Sequence, residues 1–150
     1  MTESLIKSKR TALTWDQEFK TPFVKKLEEY LVRVTGANAI SNTDLFMLCL
    51  AVGFEMKKVR PVPPRKTDAV RISYLKEPHL AIMKSVALTH TQDHMILLNE
   101  DKVFDIVEQY AAGGLEILAI EMENQINFET YLFKFLFESM KKTNLKNNQA

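Results

Sequence analysis

The chain has 150 residues, 46% hydrophobic and 26% charged, with a formal net charge of +1, a size and balance that fit one soluble globular domain with a real core. Four glycines and five prolines exclude a collagen-like, disordered or loop-rich β chain, and the single cysteine, Cys49, excludes an internal disulfide and a multi-cysteine zinc site. No run approaches the ~20 apolar residues that cross a bilayer, and the opening MTESLIKSKR lacks the apolar centre of a signal peptide, so a cytoplasmic protein without membrane contact is expected.

Residues 1–13 are polar and aperiodic and read as a mobile arm, followed by a single helical domain over 14–142 and a flexible tail over 143–150. Thr14 and Gln17 have capping-box spacing, which predicts a short turn. Thr21 and Pro22 suit the cap and first position of a helix whose face carries Phe23, Leu27, Tyr30, Leu31 and Val34, stopped by Gly36. The stretch AISNTDLFMLCLAVGFEMKK opens on capping residues and continues with the stripe Leu45, Leu48, Cys49, Val52 and Met56. Phe46 and Leu50 make it apolar almost all round, so it is expected to be the central helix.

Prolines at 61, 63 and 64 end that helix, and alternation at Val70, Ile72 and Tyr74 predicts a short extended piece. Pro78 opens a helix with Ile82, Met83, Val86 and Ala87 inward. Asn99 caps another carrying Val103, Ile106, Val107 and Tyr110, and Gly113–Gly114 is expected to break it before the acidic helix LEILAIEMEN. A last helix, FETYLFKFLFESMKK, packs Phe128, Leu132, Phe135 and Leu136, and Lys141 and Lys142 suit its C-terminal end. The expected fold is mostly α: a compact bundle of five or six helices with at most a short strand pair near residues 69–75.

Charge is distributed unevenly. Residues 1–71 sum to +5, residues 72–124 to −6 and the remainder to +2. Within 57–71 stand six cations, Lys57, Lys58, Arg60, Arg65, Lys66 and Arg71, against one acid, Asp68. Charge-assisted hydrogen bonds suit such a set to phosphate, and proline limits the entropy lost on binding. The same run also reads as a solvated connection between helices. Asp101, Glu116, Glu121 and Glu123 form an acidic counterpart fit for a protein partner.

Catalytic patterns are lacking: there is no phosphate-binding glycine loop, dinucleotide fingerprint or serine elbow. His90 and His94 have metal-ligand spacing, with Asp93 and His79 as further donors, but lack the Glu of HExxH, so no metal or cofactor is expected. Cys49 on an apolar helix reads as a buried thiol.

Four pieces in order, TDLFMLCLAVGF, RPVPPRK, LTHTQD and VFDIVEQYAAGGLEIL, resemble the small proteins encoded beside bacterial DNA-phosphorothioation genes, the Dnd-system-associated family numbered four. The likeness covers about residues 40–120 and is most specific in EQYAAGGLEIL. It implies a part in an antiviral defence system of the restriction-modification kind, which marks host DNA with sulfur and restricts unmarked DNA, but it implies no activity and supplies no catalytic residues. The expectation is a non-enzymatic accessory protein that contacts double-stranded DNA, or a DNA-bound complex, through the basic segment. The alternative is a subunit docking on a larger defence enzyme through its acidic helices. A homodimer is a further expectation, and a small metal enzyme using His90 and His94 is the weakest.

Overall fold

The computed structural model describes residues 5, 7–16, 24–36, 39–61, 66–124, 127–128, 130–135 and 137–138, with the side chains of 16, 34, 35, 66 and 67 left aside. The described chain is mostly helical. In order it contains strand β1 (Ala12–Asp16), helices α1 (Lys25–Thr35) and α2 (Asn42–Glu55), strand β2 (Lys66–Arg71) and helices α3 (Glu77–Thr91) and α4 (Glu100–Asn124). A C-terminal helix, α5, is described at 128, 130–135 and 137–138.

The central helix is α2, as its all-round apolarity predicts. Ser41 caps it by accepting from the Asp44 amide at 3.1 Å. Leu45, Phe46, Cys49, Leu50, Val52 and Gly53 are buried, and the most extensive packing of the fold joins α2 to α4. Met56, read as the last member of the stripe, lies past the helix end and is exposed.

The largest correction concerns Gly113–Gly114. The helix expected to break there runs unbroken from Glu100 to Asn124. An added Cβ on Gly114 would overlap the carbonyl oxygen of Cys49, and one on Gly53 that of Tyr110. The glycines are therefore helical and mark where the backbones of α2 and α4 touch, an approach that any side chain would forbid. Phe54 and Tyr110 seal the same crossing edge-to-face, 5.6 Å between ring centroids.

A second correction concerns Thr14, which opens no turn but sits in β1. This strand pairs antiparallel with β2, Leu13 opposite Val70 and Thr14 opposite Asp68, so that Ala69 is the extra residue of a bulge. The bulge lets Ala69 and Val70, neighbours in sequence, both be buried, against the alternation of a regular strand. Ile72 and Tyr74, expected to continue the alternation, form a 3-10 turn in which Tyr74 is exposed. Leu13 and Trp15 face inward, Trp15 against Phe46 at 6.2 Å.

In α1, Leu27 and Leu31 are buried, and Gly36 ends the helix at φ 72°, its amide on the Val32 carbonyl. Thr21, Pro22 and Phe23 lie outside the described residues. Met83, Val86 and Ala87 of α3 point inward as expected, whereas Ile82 is half exposed. Asn99 Oδ1 caps α4 through the Lys102 amide at 3.2 Å. Phe128 and Leu132 of α5 are buried, with Phe128 against Tyr30 of α1 at 5.1 Å.

Candidate nucleic-acid interface

The basic segment begins in the turn that ends α2. Lys58 N–H donates to Gly53 O at 2.8 Å and Lys57 N–H to Phe54 O at 3.2 Å, with Lys57 left-handed at φ 54°. These are the two bonds of a Schellman cap, with lysine where glycine is usual. Both lysine side chains are exposed. The turn is held from below by α4. Arg60 N–H donates to Gln109 O at 3.0 Å. One helical turn further, the absent Cβ of Gly113 leaves room for the Lys58 carbonyl.

The described candidate cations lie on different elements. Lys57 and Lys58 share the cap, whereas Arg60 is half-buried with its Nη1 shielded from water. Arg65 lies outside the described residues. Lys66 and Arg71 occupy opposite ends of β2, about 17 Å apart at the rise of an extended strand, and Arg71 is exposed.

The acids divide as well. Asp101 accepts from the Ser8 hydroxyl and lies 3.6 Å from Arg10 Nε. Glu116 and Glu121 are half-buried and Glu123 is exposed. Glu121 contributes to raising the Tyr131 pKa, after the larger effect of burial.

A site that sequence reasoning missed joins the N-terminal segment to α4. Glu108 is 4% exposed; one carboxylate oxygen accepts from the Thr14 amide and hydroxyl, each at 2.6 Å, and the other from Arg10. Arg10 also reaches Asp105. Burial alone would lower the Arg10 pKa, but Glu108 and Asp105 outweigh it and the net direction is upward. Residues 8–13, read from sequence as part of an arm, thus carry specific contacts to α4. The available signal was Glu108 itself, an acid on the same helical face as Phe104 and Ala111.

Of the remaining candidates, His79, His90 and Asp93 make contacts within the fold. His90 Nδ1 lies 2.7 Å from the Tyr110 hydroxyl and its ring stands edge-on to Tyr110. His79 Nδ1 accepts from the Lys76 amide at 3.0 Å, and Asp93 caps the 3-10 turn at Met95. Among the described residues no group of three or more His, Cys, Asp or Glu is placed to hold a metal ion. Cys49 is fully buried, which pushes its thiol up to about 12 and leaves it protonated at neutral pH. No helix among the described residues is long and apolar enough to cross a membrane.

What these surfaces define is a helical domain in which a cationic turn is anchored on an acidic helix. The chain belongs to the family described as DNA sulphur modification system-associated protein 4, whose model matches residues 20–150. The match extends the sequence likeness of 40–120 in both directions, into α1 and α5. No curated protein and no solved structure matches the chain significantly.

Proposed function

We propose that the chain is a non-enzymatic, cytoplasmic accessory protein of a bacterial DNA sulphur modification and defence system, and that it touches double-stranded DNA, or a complex already on DNA, through its basic segment. Membership of the system-associated family supports the accessory role. The observation that carries the DNA contact is the capped turn, which presents Lys57 and Lys58 to solvent on a backbone tied to Gly53 and backed by α4. Cations on an ordered backbone lose less freedom on meeting phosphate than cations on a free loop. Arg71 supplies a further exposed charge, and Arg60, Arg65 and Lys66 complete the candidate set.

The test is binding of a short fluorescent duplex across a salt titration, beside the Lys57→Ala/Lys58→Ala/Arg71→Ala variant. Affinity should fall as salt rises, and the variant should flatten the slope of log K against log salt by about 0.9 for each phosphate it no longer neutralises. No binding at low salt would remove direct DNA contact by the isolated protein.

The second reading, docking on a larger protein of the system, is favoured by the far half of α4. Glu116 and Glu123 stand seven residues apart, two turns along one helical face, whereas Asp101 is engaged by the N-terminal segment. Copurification with a partner that survives nuclease treatment and is lost on charge reversal at Glu116 and Glu123 would select this reading.

A further inference from the structure

A cavity of about 740 Å³ opens where the end of α3, the 3-10 turn after it (His94–Leu98) and the first half of α4 meet. Lys102, Ile106 and Gln109 line it at helical spacing along one face of α4. The volume is that of a site for a small organic ligand. Both carboxylates of the lining are already engaged: Asp93 accepts from the Met95 amide at 3.0 Å, and Asp105 accepts from Arg10. Other polar groups of the lining are open. His90 Nδ1 lies 2.7 Å from the Tyr110 hydroxyl, which holds the ring and leaves Nε2 unused. Asn99 Oδ1 caps α4, leaving its amide nitrogen. Among the described residues, the Lys102 ammonium and the Gln109 side-chain amide make no hydrogen bond or ion pair.

Charge decides against an ionic ligand. One lysine shares the lining with two carboxylates, so there is no surplus of positive charge to hold a phosphate. The carboxylates are bound to a backbone amide and a guanidinium, so a cation would have to displace a partner. A neutral ligand remains, with an apolar body to lie against Met95, Ile96 and Ile106 and with donors and acceptors at its edges. Lys102 and Gln109 stand seven residues apart, about 10 Å along the helix axis, so the ligand needs polar groups at both ends. A nucleoside has that form, with a flat base at one end and hydroxyls at the other. We propose that the cavity binds an uncharged purine nucleoside. Gln109 pairs with the base edge, as amide side chains pair with N6 and N7 of adenine, and Lys102 donates to a sugar hydroxyl oxygen. The site is independent of the DNA-contact reading, although Gln109 joins the two places: its carbonyl accepts from the Arg60 amide while its side chain lines the cavity.

An NMR titration of the full chain with adenosine tests it. Wild type is expected to bind with a dissociation constant below about 1 mM. Purine riboside, which lacks the N6 amine, should bind about tenfold more weakly, the loss of one hydrogen bond at the base edge. That comparison uses the unaltered protein, so no folding defect can imitate it. Gln109→Leu keeps the carbonyl bond to Arg60 and should weaken adenosine about tenfold while leaving purine riboside little changed. Adenosine monophosphate should bind no more tightly than adenosine. Absence of adenosine binding at millimolar concentration overturns the proposal, as does equal affinity for purine riboside or an adenosine affinity that Gln109→Leu leaves intact. A monophosphate held much more tightly than the nucleoside also overturns it, since the cavity would then be an anion site.

Discussion

Gly113 of α4 lies against the carbonyl oxygen of Lys58, so the basic turn rests on a helix that has no side chain at the point of contact. One residue on, Gly114 performs the same service for Cys49 of α2. The stretch EQYAAGGLEIL thereby both closes the helix crossing and seats the candidate interface, since Gln109 within it accepts from the Arg60 amide.

Replacing either glycine by alanine should gain about 1 kcal/mol of helix propensity and lose more through overlap with backbone. For Gly114→Ala two helices must separate, and a net loss of about 2–3 kcal/mol is expected in urea unfolding. For Gly113→Ala only the turn must move, so stability should change less while DNA affinity falls. Equal losses from both variants would show that the turn is no more yielding than the helix crossing.

Glu108 is the buried charge on which the N-terminal segment depends. Glu108→Ala would leave the Thr14 amide without its acceptor and Arg10 with Asp105 and Asp101 alone. The expected loss is about 2–4 kcal/mol, because removing one member of a buried charged network strands the others. Arg10→Ala should cost less, since its guanidinium is partly exposed and the two Thr14 bonds survive. Chemical denaturation of both variants measures the difference, and the larger loss should belong to Glu108→Ala.

The helices were legible because their signals are local. Ser41 and Asn99 cap as their spacing suggests, and Gly36 stops α1 with the positive φ expected of it. What sequence reading missed depends on partners distant in the chain. Gly113 and Gly114 look like a break until α2 is laid on them. Thr14 looks like a cap until its amide meets a carboxylate 94 residues away. The two buried neighbours Ala69 and Val70 require a bulge that no alternation pattern announces. For the candidate site, the cationic run was visible as composition, but its division into an anchored lysine pair, a shielded Arg60 and two separated strand ends was not.

Burial of Cys49 makes stability depend on alkaline pH. The thiol ionises near 9.0 in the unfolded chain and at about 12 in the folded one. Below pH 9 both states hold the proton, and the thiol contributes no pH dependence. As pH rises above 9 only the unfolded state releases it, so the protonated folded thiol loses its advantage by about 1.4 kcal/mol per pH unit. Over the three units to pH 12 the loss is on the order of 4 kcal/mol. The stability difference between wild type and Cys49→Ala should therefore be constant below pH 9 and shift against wild type above it. A difference that stays flat through pH 11 would mean that the folded thiol ionises as readily as a free one.

Lys57 separates stability from function most cleanly. Its left-handed φ of 54° is unfavourable for any residue with a Cβ, and glycine is the residue that such a cap prefers. If the position served the fold alone, lysine would be a poor occupant. Lys57→Gly should therefore raise stability by about 1 kcal/mol, while removing one exposed cation and weakening DNA binding with a flatter salt slope. Opposite signs in thermal melting and in duplex titration are the expected result. Gain of stability with unchanged DNA affinity would show that Lys57 does not touch phosphate, and the lysine beside it would have to carry the turn's contribution alone.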